Sequence, residues 1–183
     1  DFNIYYNLGI AYGNLEEYMQ TLIALSEAQK IMPNNELINY QMGVAYFELE
    51  LYEQSIDHFI KYILQNNDDS LVYFLMGQAF MNLNDYFSAI GVFKKSLEIN
   101  SMDYRSFYYL GKCYYLIENF QKSAKNYKKA LKINPDDPKT HYGLGLAYLK
   151  LEKKRSLKKE INILQMLDPG LYDSLQFYIK NNF

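Results

Sequence analysis

The chain contains no tryptophan, one cysteine and two histidines in 183 residues. A single thiol, Cys113, excludes a disulfide framework and a cysteine-rich zinc site. His58 and His141 are not spaced as metal ligands, and no cysteine pairs with either of them. We read His141, in a bulky apolar slot, as a satisfied core or groove histidine. No run of eighteen apolar residues provides a membrane span in this stretch, and no signal peptide is visible. Neither a nucleophile elbow nor a phosphate-cradling glycine loop is present, so we expect no enzyme and no cofactor. Low-complexity segments and linkers are missing as well. The chain opens on Asp1 and runs straight into a helical pattern, which reads as a piece of a longer protein. The compartment is left open, with the cytoplasm favoured.

About half of the residues are apolar, and 20 Tyr and 11 Phe dominate them. The formal charge of −2 hides an asymmetry. Residues 1–103 hold 14 acidic and 4 basic side chains, and residues 104–183 hold 7 acidic and 15 basic. Such a field steers partners but does not specify a fold. The slightly acidic total argues against nucleic acid as the ligand.

The stretch from Tyr104 to Pro135 shows how the chain is organised. Phe107, Leu110, Gly111 and Tyr114 recur three and four apart, as do Phe120, Tyr127, Ala130 and Leu131 beyond a polar break at Glu118 and Asn119. That is helical spacing, and Pro135 ends the second helix. Steps of 34 residues from Gly111 reach Gly9, Gly43, Gly77 and Gly145. Leu8, Met42, Met76, Leu110 and Leu144 precede these glycines, and Tyr12, Tyr46, Phe80, Tyr114 and Tyr148 follow three later. Cys113 falls where the other units place Ala11, Ala45, Ala79 and Ala147, a small buried slot. A helix–turn–helix unit repeated at that period is the signature of a stacked helical array, because one hairpin cannot bury its own apolar faces.

With Phe107, Leu110-Gly111, Tyr114, Ser123, Tyr127, Ala130 and Pro135, the fourth unit resembles the tetratricopeptide repeat; only Ser123 departs from the family's alanine. The resemblance implies an all-α, right-handed superhelical solenoid of five units plus a C-terminal helix. We expect one domain over residues 1–183, with repeats at 2–35, 36–69, 70–103, 104–137 and 138–171 and the final helix at 172–183. Asp68-Asp69 and Asp136-Asp137 lie at inter-repeat turns, where carboxylates cap helices. Thr21, Ser55, Ala89 and Ser123 are expected to let each glycine's backbone approach the second helix. Tyr18, Tyr52, Tyr86 and Phe120 are expected to wedge against neighbouring repeats. Repeat five breaks both rules, with Leu157 and Lys154, as a terminal unit does. Leu171, Leu175, Tyr178 and Ile179 share one face of the last helix and suit a cap; Phe177 and Phe183 lie off that face.

For function, the resemblance implies a protein-interaction scaffold holding a peptide or partner helix in a concave groove lined by first helices. Tyr6, Tyr40, Phe74, Tyr108 and Tyr142 stand 34 apart in that lining. Arg105, Lys112, Lys139 and Lys150, among Tyr108, Tyr115 and Tyr142, make its C-terminal half basic, which suits a ligand combining carboxylates with apolar side chains. The carboxylate clamp that grips chaperone tails fits no register of this chain. The run Lys150, Lys153, Lys154, Arg155, Lys158 and Lys159 reads as a solvated helix face. Two alternatives stay open: head-to-tail self-association through oppositely charged ends, and an accessory region of a larger enzyme.

Overall fold

The computed structural model describes residues 1–182, which form eleven α-helices and no strand. They are α1 (Phe2–Asn14), α2 (Tyr18–Ile31), α3 (Glu36–Glu48), α4 (Tyr52–Ile63), α5 (Ser70–Asn82), α6 (Tyr86–Ile99), α7 (Tyr104–Leu116), α8 (Phe120–Ile133), α9 (Pro138–Lys150), α10 (Lys154–Leu167) and α11 (Pro169–Asn182). The chain is thus an all-α helix-pair solenoid with a terminal helix. It divides into two compact units, Asp1–Asp85 and Tyr86–Phe183.

The 34-residue period is written into the backbone as well as the side chains. Asp1, Asn35, Asp69, Asp103 and Asp137 all accept hydrogen bonds from backbone amides in the first turn of the helix that follows. These caps satisfy donors that a helix start leaves open. Of the two acidic pairs singled out in the sequence, the second member of each, Asp69 and Asp137, does the capping. Within the hairpins, Glu16, Glu50, Asn84, Glu118 and Glu152 all adopt left-handed φ between 55° and 61°. The five tight turns therefore share one backbone conformation, four of them on a glutamate where asparagine or glycine would be less strained.

Glycine's part in the hairpin is more specific than the sequence expectation. What fills the space over its Cα is a large side chain one turn beyond the small residue. A Cβ on Gly9 would lie 2.7 Å from Leu25, one on Gly43 2.6 Å from Phe59, and one on Gly111 2.7 Å from Tyr127. The small residues are buried beside these contacts, and the Ser55 hydroxyl donates to the Gly43 carbonyl at 2.8 Å. The hydroxyl of Ser123 is buried with no partner in the same slot. Among the leading aromatics, Tyr18 faces Gln41, Val44 and Glu48 of the next repeat as expected, whereas Tyr52 and Phe120 also take partners in their own hairpins. Tyr52 meets Phe47 edge-on at 5.7 Å and Phe120 meets Tyr115 edge-on at 5.4 Å, each within its own hairpin. The tight turn returns α4 and α8 directly beside the ends of α3 and α7, so the partner is local.

In the first unit Leu25, Ala28, Ile38 and Met42 form a buried cluster, with Phe2, Tyr6, Leu22 and Tyr46 against it. In the second unit the core is Ala124, Tyr127, Leu144, Ala147, Tyr148, Leu149, Leu157, Leu164 and Leu175. Leu175 comes from α11 and is fully buried, with Leu171, Tyr178 and Ile179 packed alongside. The last helix covers repeat five as expected, but begins at Pro169 and not at residue 172. Proline suits the first helical position, and the Asp168 carboxylate accepts from the Leu171 amide at 3.0 Å. Phe177 is exposed, and Phe183 lies outside the described residues.

One glycine has no packing role. A Cβ on Gly91, in the exposed face of α6, would meet nothing within 4 Å. Gly91→Ala is therefore expected to raise stability by about 0.5–1 kcal/mol through the lower entropy of the unfolded chain. Urea unfolding followed by circular dichroism reads the change; a loss of stability would show that α6 is packed on that face.

Candidate interaction surface

The aromatic positions of the first helices divide between the two units. In the first, Tyr6 stacks on Phe2 at 5.5 Å and is hydrogen-bonded to Gln41, with burial raising its pKa. Tyr40 is half-buried and leans on Tyr62 at 5.4 Å, whose hydroxyl donates to Asp69 at 3.1 Å. Phe74 is only 5% exposed, so its ring belongs to the core rather than to a displayed surface.

The second unit holds the denser group. Tyr108 is half-buried, edge-on to Tyr109 at 5.2 Å and tilted on Tyr127 at 5.9 Å. Tyr115 is hydrogen-bonded to Tyr178 of α11, and burial together with that bond raises its pKa. The same Tyr178 ring carries the Lys150 ammonium at 5.8 Å, a cation–π contact. Tyr142 is half-buried on α9, its pKa raised by burial and by neighbouring Tyr178. The three tyrosines thus form one cluster across α7, α9 and α11. Arg105 pairs with the capping Asp103 at 3.0 Å while its side chain stays about half exposed. Lys112, Lys139 and Lys150 are exposed.

Sequence reasoning placed Tyr178 in the cap and missed its place in this cluster. The reason is physical: α11 follows its own register, starting at Pro169, so the 34-residue count does not reach it.

Both histidines are held by neighbours in the same pair of slots, 34-residue multiples apart. His58 donates to Asn39 at 3.1 Å and stacks on Tyr46; burial and nearby Lys61 lower its pKa to about 4, so it is neutral. His141 faces Glu160 through Nδ1 at 2.6 Å and the Pro135 carbonyl through Nε2 at 2.8 Å. Burial acts to lower the His141 pKa, but the two acceptors outweigh it and hold the pKa above the ordinary value. Both nitrogens then carry protons, and the pair is a buried imidazolium–carboxylate, each partner about 6% exposed. Glu160 went unremarked in the sequence, though it stands where His58 stands in repeat two. Cys113 is buried, and burial pushes its thiol up to about 12, away from thiolate chemistry. Among the described residues no group of three His, Cys, Asp or Glu side chains is placed to hold a metal ion. No described helix is long and apolar enough to cross a membrane.

The family profile described as TPR repeat matches residues 114–152, and a second, Tetratricopeptide repeat, matches residues 71–101. The chain belongs to the tetratricopeptide-repeat family. Solved structures share the fold. A MamA RS-1 double mutant superposes with a TM-score of 0.87 at 20% identity, over 92% of this chain and 95% of that one. YrrB, described as a TPR protein with an unusual peptide-binding site, superposes with a TM-score of 0.85 at 16% identity, over 96% and 92%. Another MamA structure gives 0.82 at 21% identity, over 90% and 92%. At these identities the likeness is one of fold. No curated protein matches the chain.

Proposed function

We propose that this TPR protein is a non-catalytic interaction scaffold that holds a peptide or partner helix against the first-helix face of its C-terminal unit. The observation that carries the reading is the cluster of Tyr115, Tyr142 and Tyr178 with Lys150. Helical spacing sets Arg105, Tyr108 and Lys112 on the same stripe of α7 as Tyr115, and Lys139 three residues before Tyr142 on α9. Half-buried tyrosines offer rigid contact area with a polar tip, and side chains of this kind are enriched where binding energy concentrates. The cations around them favour a ligand that mixes carboxylates with apolar side chains, and act mainly on encounter and orientation. YrrB, which shares the fold, is a peptide-binding protein by its description.

A partner captured with this chain supplies the test. Replacing Tyr108 and Tyr142 together by alanine is expected to speed dissociation, costing about 2 kcal/mol or more. Charge reversal at Arg105 and Lys112 is expected instead to slow association and flatten its salt dependence. Surface-immobilised binding kinetics separate the two rates, with folding checked by circular dichroism. A partner that binds both variants as the parent sits elsewhere.

A further inference from the structure

The lysine run that the sequence presents as one solvated face is divided by the fold. Lys150 turns to Tyr178, Lys153 and Lys154 flank the α9–α10 turn, and Arg155 and Lys159 line a separate cleft. That cleft has a volume of about 780 Å³ and runs between α8 and α10 over the α9 face that carries His141, Leu144 and Tyr148. Lys128 and Lys132, one helical turn apart, edge it on α8; Arg155 and Lys159, with the same spacing, edge it on α10. Leu131, Leu144, Tyr148 and Ile163 supply an apolar floor.

Two features separate these cations from an ordinary charged surface. They are not neutralised: among the described residues none of the four lies within 4 Å of a carboxylate, and Lys128 only overlies the Tyr148 ring at 5.5 Å. The nearest acid in the cleft, Glu160, is already held by His141. The repeat also provides its own controls. The equivalent cleft between α6 and α8 has Lys94 and Lys129 with the acidic Glu98 in place of Lys132. The one between α2 and α4 has Lys30, paired with Glu27, and Lys61. The same backbone thus makes three clefts, and this one has become fully basic at its rim.

We propose that this cleft is a second binding site, taking an extended acidic segment of a partner polypeptide with an apolar side chain seated between its carboxylates. Geometry favours that occupant. Residues four apart on a helix have Cβ atoms about 5–6 Å apart, and residues two apart on an extended chain are separated by about 6.6 Å, so carboxylates at alternate positions match each cation pair. The intervening side chains point the other way, and one of them meets the leucine-rich floor. Single-stranded nucleic acid fits less well, because stacking needs exposed aromatic faces and Tyr148 is 5% exposed.

The probe is a fluorescein-labelled peptide of alternating glutamate and leucine, titrated with the intact chain and read by anisotropy. Lys132→Glu with Lys159→Glu is expected to weaken binding by about tenfold or more, and the parent's affinity to fall as salt is raised from about 50 to about 300 mM. Lys30→Glu with Lys61→Glu applies the same change of net charge to the α2–α4 cleft and is expected to leave affinity within about twofold. Arg105→Glu with Lys112→Glu, on the first-helix face, is expected to do likewise. Equal weakening by the two lysine pairs would reduce the effect to net charge and overturn the site. Loss only in the Arg105 and Lys112 variant would put the peptide on the other face, and tighter binding of an oligothymidylate than of the peptide would name the wrong ligand; either overturns it. All variants must retain the parent's circular dichroism spectrum, and the milder Lys132→Gln with Lys159→Gln replaces any that does not.

Discussion

Glu160→Ala is expected to cost about 3–5 kcal/mol at pH 6, the penalty for leaving one member of a buried ion pair without its partner. Both members are almost wholly buried, and the His141 imidazolium has only the Pro135 carbonyl as a second acceptor. The pH dependence makes the expectation specific. In the parent the folded pKa of His141 is raised, through the hydrogen bonds of Glu160 and Pro135 and the nearby charge of Asp137, against the effect of burial. Its stabilisation is therefore complete below the unfolded value of about 6.5 and is lost as pH rises through the folded pKa. Without Glu160, burial depresses the pKa, the neutral imidazole is preferred in the fold, and stability rises with pH through the same region. The gap between parent and variant should accordingly be widest near pH 6 and close towards pH 9. Denaturant unfolding at several pH values measures it. A loss under about 1 kcal/mol at pH 6, or a gap that widens with pH, would mean that the pair is not ionised. Repeat four carries Phe107 and Asn126 in the corresponding slots. Installing that pair through His141→Phe with Glu160→Asn is expected to restore most of the stability and to remove this pH dependence, since buried ion pairs are often replaceable by packed side chains at little cost.

The second large effect belongs to the ring of Tyr127. A Cβ on Gly111 would lie 2.7 Å from its Cδ1 and Cε1, while one on Gly143 would lie 2.5 Å from its Cζ. The ring is 4% exposed and runs between the two glycines, so it cannot yield to a side chain on α7 without striking α9. Gly111→Leu is expected to reach or exceed the upper end of overpacking costs, about 3 kcal/mol. Gly145→Leu should cost about half as much. The nearest atom to its Cβ is Leu175 Cδ2 at 2.9 Å, the tip of a flexible side chain on the terminal helix, and the next contacts are at 3.8 Å. α11 can shift locally, whereas α8 is held between α7 and α9. Thermal unfolding of the two variants decides the point, and equal shifts would show that α11 is as rigidly placed as α8. The irregularity of repeat five in the sequence points the same way; in the structure the difference lies in the identity and freedom of the neighbouring side chain.

Much of this protein was legible in its sequence because a repeat exposes its own rules. The recurrence of Gly9, Gly43, Gly77, Gly111 and Gly145, with apolar residues three and four apart, was enough to place the helix pairs and their turns. Asp69 and Asp137 could be read as caps because capping depends on neighbours two and three residues away. Such interactions are local, and any interaction repeated at a fixed offset is visible as a period. Only the tertiary structure decided the rest, since it depends on partners whose separation the period does not encode. It sent Tyr178 to Tyr115 and Lys150 by way of a terminal helix in its own register. It brought Glu160 onto His141 from the opposite helix of the hairpin, making an ion pair where repeat two has a neutral one. It also split one lysine run among three surroundings, because neighbours along a helix point in directions about 100° apart and meet different elements.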